Sequence, residues 1–471
     1  MEAYLDWQKK SGGIKLNDVI EDFKYVYKGQ TIKAGDFVNY VNGVSGITNY
    51  GTSTDTQLDT VKYSAYNTIS TVALDDNRVF IAHNDGNSQN GYLYGMVVTI
   101  NGTTITAGTD TQLSTGSNSG YGISAVLLED GNVFIAHSYS STYLYGIVCT
   151  INGTVITKGT DTSISDISYT GYYHSIELLP NNKVFIAHSY NSNYHLYGVV
   201  VTINGTTITK GTVTQIVGSS QAGYAISTCL LPNGNIFIAH SYNTNYYLYG
   251  IVCTISGTSI TKGSDTALNN STTYTGNAIS ACLLPNGNVF IAHSYSNATR
   301  YLYGMIVTIN DKIITKGVDN ALVTDGSRGF VISTCLLSNG NVFIAYDDGQ
   351  SRHLFGVVIN INGTTITTGT GIKLVNVIFA GSEQSTLLLN NGTIFIAHDY
   401  SDNHYLYAQI FGIDEANNIP TNNISITEYE QQVTSAIEPP FNAIALSSGV
   451  GGTDTEHNEQ VKIARPNVEV I

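Results

Sequence analysis

The strongest constraint on the fold is a short apolar phrase that repeats along the chain. Val-Phe-Ile-Ala-His, or a close variant, recurs every 51 to 54 residues, at 79–83, 133–137, 184–188, 236–240, 289–293, 342–346 and 394–398. A unit of this length cannot bury an apolar face alone and must stack on copies of itself, as the blades of a β-propeller do. The period therefore predicts a closed ring of seven units.

Each repeat reads as four short strands. In the fourth copy, runs rich in Val, Ile, Phe, Tyr and Thr cover 225–231, 235–241, 247–255 and 258–268, which is the composition of β-strands. Two of the separators are tight turns of the Asn-Gly type, which favour hairpins, and helical periodicity is absent from these runs. We therefore expect an all-β fold, a seven-bladed β-propeller of four-stranded antiparallel blades.

The ends of the chain predict how the ring closes. The seventh copy lacks its own fourth strand after 405–411, whereas the segment 47–58 matches the fourth strand of the first copy. An N-terminal strand is therefore expected to complete the last blade, which removes exposed sheet edges. The predicted domains are the N-terminal part of a small β anchoring module (1–44), the propeller (45–412), and a linker with the C-terminal part of that module (413–471).

Composition and charge limit the kinds of partner that the chain is expected to bind. The net charge is −15 with only 20 Lys and Arg residues, so the chain lacks the electrostatic footprint of a nucleic-acid-binding protein. It shows neither a basic and apolar leader nor a run of about 18 apolar residues, so we expect no signal peptide and no membrane insertion. The five cysteines occupy apolar repeat positions, which indicates small buried hydrophobes. Neither a cofactor nor a metal is predicted.

Loop composition predicts a binding face. In an antiparallel meander the loops after each second strand and between blades collect on one side, which we call the long-loop face. These loops are rich in Tyr, Asn, Ser, Thr and Gly, as binding surfaces are, although ordinary soluble loops share that composition. The candidate ligand-binding tyrosines are Tyr139, Tyr143, Tyr190, Tyr194, Tyr242, Tyr246 and Tyr295.

The sixth copy departs most from the repeat. Tyr346, Asp347 and Asp348 replace His-Ser-Tyr, and Arg300, Arg328 and Arg352 fall in long-loop segments of blades five and six. Arginine is suited to anionic or hydrogen-bonding ligands, so these six residues are further ligand-binding candidates. Ordinary drift between repeats explains them equally well.

The six histidines at equivalent positions suggest a metal or catalytic ring, but the strand positions argue against one. Each ends the second strand of its blade, so neighbouring histidines lie too far apart to share one metal, and we expect packed or hydrogen-bonded side chains. Glycosidase chemistry needs two close carboxylates, and no recurring pair indicates one. No catalytic residue is predicted, although glycosidase activity is left open.

Several phrases resemble proteins of tailed bacteriophages and phage-tail-like particles. Residues 32–38 and 443–449 are similar to small β modules of virion and tail proteins, and the blade phrases to propeller repeats of prophage tail fibres. The resemblance implies a receptor-binding protein of the particle, made in the bacterial cytoplasm. It implies attachment to a surface glycan or surface protein through the long-loop face, and anchoring to other tail or baseplate proteins in multiple copies. Alternatives are a structural decoration protein and, less favoured, a surface-glycan hydrolase.

Overall fold

The structure is a computed structural model of the 471-residue chain. It describes residues 19–26, 31–33, 37–59, 69–85, 91–116, 119, 121–139, 143–165, 170–190, 195–218, 222–242, 246–269, 276, 278–295, 301–324, 329, 331–349, 351–381, 383–400, 405–414, 418–435, 443–445, 449–450 and 460–466. Contacts divide the chain into one unit of residues 51–424 and another formed by 1–50 with 425–471.

The larger unit is a seven-bladed β-propeller of antiparallel blades, as the repeat predicts. The inner strands are Ile69–Asp75, Tyr121–Leu127, Thr170–Leu179, Ile226–Leu230, Ile279–Leu283, Ile332–Leu336 and Gln384–Leu388. The second strands are Arg78–Asp85, Val133–Tyr139, Lys183–Tyr190, Ile236–Ser241, Val289–Ser294, Val342–Asp347 and Ile394–Asp399. The third strands are Tyr92–Asn101, Tyr143–Asn152, His195–Asn204, Leu248–Ser256, Leu302–Asn310, Leu354–Asn362 and Leu406–Asp414.

Each outer strand is made of two short pieces that pair with different halves of the third strand. In blades one to six these pieces are Thr104–Ala107 with Thr111–Gln112, Val155–Lys158 with Thr162–Ser163, Thr207–Lys210 with Thr214–Val217, Ser259–Lys262 with Thr266–Asn269, Ile313–Lys316 with Asn320–Val323, and Thr365–Thr368 with Ile372–Val375. A glycine follows the first piece of each, for example Gly159, where a Cβ atom would lie 2.7 Å from the Val148 carbonyl oxygen. The break turns the residues after the glycine inward toward the blade.

The repeated phrase forms the core because second strands are covered on both faces by neighbouring blades. In Val133–Tyr139, the first six side chains are all buried, which explains a continuous apolar run in place of alternation. Phe134 lies beneath Gly146 of the third strand, where an added Cβ would approach the ring to 2.8 Å. The glycine of the Tyr-Leu-Tyr-Gly phrase at 143–146 is therefore a close-packing point.

A belt of seven serines, which sequence reasoning missed, joins the inner strands. In six of the seven junctions the serine hydroxyl accepts a hydrogen bond from a backbone N–H of an adjacent blade, at 2.9 to 3.2 Å; these serines are Ser70, Ser175, Ser227, Ser280, Ser333 and Ser385. At the remaining junction, Ser124 donates to the carbonyl oxygen of His174 at 3.4 Å. The junction between Ser385 and Thr71 connects blade seven to blade one, so the belt closes the ring.

Blade seven is completed from the N-terminal side, as predicted, but with a shorter segment than expected. Thr56–Gln57 pairs with the third strand Leu406–Asp414. The other outer piece is Ile419–Thr421, which pairs with the same strand, whereas residues 47–52 belong to the long strand Phe37–Thr52. The match between 47–52 and the first copy therefore does not describe the outer strand, because the following chain supplies that position.

The smaller unit pairs the two termini, as the split-module prediction requires. Its barrel has the strand order Val19–Val26, Asn423–Ser435, Phe37–Thr52, Ala443–Ala445 and Gln460–Pro466. Thr31–Ile32 and Gly449–Val450 form a separate two-stranded ladder. Two N-terminal and three C-terminal strands therefore interleave within one barrel.

The five cysteines are all free, and four of them are buried, in line with their predicted role as small apolar side chains. No helix in the described part of the chain is long and apolar enough to cross a membrane.

Candidate functional site

The histidine of the repeated phrase is buried and bonded to an aspartate of the outer strand. In blade two, His137 Nε2 lies 2.9 Å from Asp161 Oδ1. Four other blades repeat this distance with the pairs His83–Asp110, His240–Asp265, His293–Asp319 and His398–Asp55. Every one of these imidazole rings is fully buried. The prediction of packed or hydrogen-bonded histidines is therefore confirmed.

A tyrosine two residues after the histidine bonds the second carboxylate oxygen. Tyr139 donates its hydroxyl to Asp161 Oδ2 at 2.6 Å, and its ring lies 4.5 Å from that of Tyr145 on the third strand. We call this group of His137, Tyr139, Tyr145 and Asp161 the His–Asp–Tyr–Tyr cluster. It recurs in blade four as His240, Tyr242, Tyr249 and Asp265, in blade five as His293, Tyr295, Tyr303 and Asp319, and in blade seven as His398, Tyr400, Tyr407 and Asp55.

Burial and hydrogen bonding together set the protonation states of the aspartate and the first tyrosine in the cluster. Burial opposes ionisation of Asp161. The hydrogen bond and charge of His137, together with hydrogen bonds from Tyr139 and Ser114, nevertheless hold the pKa of its carboxyl below the usual range. Burial and the bond to Asp161 raise the pKa of Tyr139 to about 12. At neutral pH the cluster therefore presents a carboxylate held by neutral phenol donors.

The cluster lies where two blades meet, beside the long-loop face. Tyr139 is the last residue of its strand, and Ser114 of the preceding blade donates to Asp161 Oδ2 at 2.8 Å. In blade five, Asn269 of the preceding blade bonds Asp319 in the same way. The aspartate side chains remain 17 to 22% exposed. In blades two, four and five both tyrosines of the cluster are also partly exposed, whereas blade seven exposes only one of them. The clusters of blades two, four and five therefore offer solvent two aromatic rings next to a carboxylate.

Blade three keeps the histidine but has Val213 where five of the other six blades have aspartate. Neither ring nitrogen of His188 has a side-chain hydrogen-bond partner among the residues that the structure describes, and burial lowers the pKa of His188 to about 3. The ring of Tyr190 lies 6.4 Å from that of Tyr197, against 4.1 to 4.7 Å in the complete clusters. The aspartate is therefore what draws the two tyrosines together.

Blade six replaces both partners at once. Tyr346 stands for the histidine and Gly371 for the aspartate, and a Cβ atom at Gly371 would clash with the Tyr346 hydroxyl. A pocket of about 310 Å³ lies beside this pair between blades five and six, lined by Leu322, Val323, Thr324, Tyr346, Phe355, Gly369, Thr370 and Gly371. In blade six the Tyr346 hydroxyl therefore approaches the position that aspartate occupies elsewhere, and a pocket adjoins it.

The acidic candidates of blade six hold the local backbone. Asp347 is fully buried and accepts hydrogen bonds from the N–H groups of Val331 at 3.1 Å and Gly349 at 3.2 Å. Asp348 accepts from the N–H of Ser351 and from Nδ1 of His353. Both carboxylates shape the loop that carries Arg352.

Arg352 belongs to an acidic corner shared with blade seven. The corner consists of Glu383, Asp399, Arg352 and Asp347. Burial raises the pKa of Glu383 well above its usual range, and the Asp399 and Asp347 carboxylates add to the rise. The Arg352 guanidinium opposes it. Asp399 accepts a hydrogen bond from the backbone N–H of Glu383 at 2.8 Å. The corner combines a carboxyl group whose pKa is raised by burial with two carboxylates that accept backbone hydrogen bonds.

The remaining candidates differ in their placement. Tyr143 is 40% exposed, and Tyr246 has a φ of 52° with its ring 4.9 Å from that of Tyr224. Tyr194, Arg300 and Arg328 lie outside the described residues. Sequence reasoning missed the aspartates of the clusters. The Thr-Asp-Thr phrase shared around Asp55, Asp110 and Asp161 was a usable signal.

No group of three or more His, Cys, Asp or Glu side chains within the described ranges could hold a metal ion.

Comparisons with known proteins add a likeness of fold. No protein-family model and no curated protein matches the chain. The structure of a putative 6-phosphogluconolactonase from Bacteroides uniformis ATCC 8492 is similar with a TM-score of 0.51 and 12% identity, over 74% of this chain and 96% of that one. An ulvan lyase of polysaccharide lyase family PL25 gives 0.46 and 8%, over 77% and 95%. AofleA from Arthrobotrys oligospora gives 0.42 and 9%, over 85% and 94%.

Proposed function

We propose that this protein is a non-enzymatic recognition protein of a phage or phage-tail-like particle, which attaches to a glycan or protein of a bacterial surface. The observation that carries the proposal is the repetition of partly exposed tyrosine rings beside carboxylates around one rigid ring. Tyrosine supplies contact area at low entropic cost, and its hydroxyl adds a polar contact. Repetition of weak sites on one body increases the strength of attachment to a repetitive surface.

The smaller unit is proposed as the anchor to other tail or baseplate proteins. It unites both chain ends in one barrel, so a single module can hold the propeller without interrupting it. A purely structural decoration protein would use both units for contacts within the particle. Immunogold labelling of particles separates these roles, because a recognition protein belongs at the tail tip and a decoration protein on the capsid.

Retention of the fluorescently labelled full-length protein on whole cells and on fractionated envelope tests the proposal directly. We expect saturable retention on at least one strain and on its purified wall polymer or surface proteins. Failure to bind any envelope fraction of a susceptible strain would overturn the proposal.

Surface-glycan hydrolysis is the second candidate, favoured by the acidic corner. A carboxyl group with a raised pKa next to carboxylates is the arrangement used by general-acid catalysts. The test is release of reducing ends from wall polymer by the full-length protein. Loss of that release in Glu383→Gln, with retention on cells unchanged, would support hydrolysis; no release by the wild type rules it out.

A further inference from the structure

We infer that blades two, four and five carry three equivalent subsites for a pyranose sugar, each built on a His–Asp–Tyr–Tyr cluster. The inference rests on the proposed function and gives it a ligand class and a number of sites. It starts from a comparison among the seven copies within this one chain. Because the copies share a backbone, differences between their clusters isolate what each side chain does.

The chemistry of an open cluster fits a sugar. A pyranose has an apolar face of C–H groups, which packs on an aromatic ring, and a rim of hydroxyls, which donate to a carboxylate. Tyr145 offers a partly exposed ring, and Asp161 a carboxylate that is 19% exposed. Oδ1 of Asp161 is bonded by His137, and Oδ2 by Tyr139 and Ser114, so a ligand meets a carboxylate whose orientation is already fixed.

The cluster is not needed to build a blade. Blade six forms the same strands with Tyr346 and Gly371 in place of histidine and aspartate. Blade three forms them with Val213, although His188 is then left in an apolar setting. Since blades three and six both form without a complete cluster, blade formation alone does not explain why the other clusters are complete.

Blade seven has the complete set of residues but serves a different purpose. Tyr400 is only 7% exposed and packs in an apolar cluster with Val375 and Ala380. Its aspartate, Asp55, comes from the N-terminal segment that closes the ring. The tyrosine that is partly open in blades two, four and five is therefore covered here, and the blade-seven cluster acts as a clamp.

The remaining copies lack one part of the subsite. Blade one has the His83–Asp110 pair but Asp85 at the position of the first tyrosine. Blade six has an aromatic pocket with no carboxylate. In blade three the tyrosines are present and only the aspartate is missing, so this blade is one substitution short of a complete cluster.

The binding test uses full-length protein labelled with ¹³C at its tyrosines, titrated with the methyl pyranosides of galactose, mannose, rhamnose and N-acetylglucosamine. We expect one of them to shift three sets of ring signals. Tyr145→Leu, Tyr249→Leu and Tyr303→Leu should each remove one set, whereas Tyr197→Leu, the matched control in blade three, should leave all three. No shift with any pyranoside, or a loss caused equally by the control, would overturn the inference.

A gain-of-function variant provides an independent test of the inference. Val213→Asp completes the cluster of blade three, so the number of shifted sets should rise from three to four as Tyr190 and Tyr197 come together. A folded Val213→Asp protein that still shows three sets contradicts the role given to the aspartate. If that variant does not fold, the three leucine variants still decide the question.

Retention on envelope separates this inference from the proposed function. The triple variant Tyr145→Leu, Tyr249→Leu, Tyr303→Leu should lose at least tenfold in retention. If it binds as the wild type does, attachment is real and these subsites are wrong. If the ring signals shift but no envelope fraction retains the wild type, the subsites stand and the proposed attachment fails.

Discussion

At the scale of single residues, one position in each blade decides which chemistry the boundary with the next blade contains. Aspartate at 161 gives an ionised, partly exposed carboxylate, valine at 213 gives a buried histidine without a carboxylate partner, and glycine at 371 gives a pocket without a carboxylate. The backbone pairing around these positions is the same. Small changes at one repeat position therefore create different surfaces on one framework.

Glu177 makes stability depend on pH. It replaces an apolar residue of the inner strand, and burial raises its pKa to about 7 from the model-compound value of 4.5, although Thr228 donates a hydrogen bond to it. The folded state therefore holds the proton more tightly than the unfolded state. The associated stability is full below pH 4.5 and is lost as the pH rises to 7, by up to about 3 kcal/mol.

Glu177→Gln should remove this dependence. The variant is expected to unfold like the wild type at pH 4.5 and to be more stable at pH 8, because the amide needs no proton to remain neutral. Urea unfolding at the two pH values measures the difference. Equal stabilities at pH 8 would show that Glu177 ionises without cost in the folded protein.

Gly146 tests the close contact beneath the third strand. Gly146→Val should destabilise the propeller by about 2–3 kcal/mol or more, because its side chain must displace the ring of Phe134. Blade seven already has Ala408 at the equivalent position, so Ala408→Gly is the matched control and should cost less. The midpoint of urea unfolding reports both changes, and a neutral Gly146→Val would refute the packing argument.

Residue patterns predicted the buried histidines but not their partners. His137 could be judged from its place at the end of an apolar strand. Asp161 could not be assigned to it, because the two are joined only when the outer strand breaks at Gly159 and turns the aspartate inward. The serine belt could not be predicted for a similar reason. A serine after an apolar residue fits the ordinary alternation of apolar and polar residues in a single strand.

At the scale of elements, the strand that closes blade seven is held by side chains as well as by its ladder. Thr56–Gln57 contributes only two residues of pairing. Asp55 accepts hydrogen bonds from both His398 and Tyr400, and the Leu58 N–H donates to the Leu406 carbonyl oxygen at 2.8 Å. The clamp therefore compensates for the short ladder.

Asp55→Ala should loosen this closure by about 2–4 kcal/mol, because it leaves two buried donors without their acceptor. We therefore expect faster hydrogen exchange at the Leu58 N–H. Asp110→Ala is the matched control, since it removes the same histidine partner within a continuous blade, and should disturb exchange at the closing strand much less. Unchanged protection of Leu58 in Asp55→Ala would mean that the backbone pairing suffices.

Strand order was predictable where the repeat is complete, and less so at the two ends. The repeat fixed the number of blades and the four strands of each. The segment 47–52 resembled an outer strand because threonine and isoleucine suit any strand, but it is part of Phe37–Thr52. Its place is taken by Ile419–Thr421, whose sequence has no counterpart in the other copies.

At the scale of the whole molecule, the proposed attachment depends on repeated neutral contacts. The chain has a net charge of −15, yet stacking and hydroxyl hydrogen bonds are screened little by salt, unlike attraction between exposed charges. Raising NaCl from about 50 to 500 mM should therefore change retention on envelope less than about twofold. A steep loss of retention with salt would indicate attraction to a cationic surface in place of sugar binding.

The clamp of blade seven also sets an order of events in synthesis. Asp55 and His398 are 343 positions apart, and a ribosome adding about 5–20 residues per second needs roughly 20–70 s to cover that distance. Throughout that interval the segment around Asp55 has been made and its partner strand has not. The ring therefore closes last, and such distant pairing makes folding slow. A chain that stops before residue 406 has an open edge on its last blade, and its segment around Asp55 has no partner strand. Truncated products are therefore prone to pair with one another.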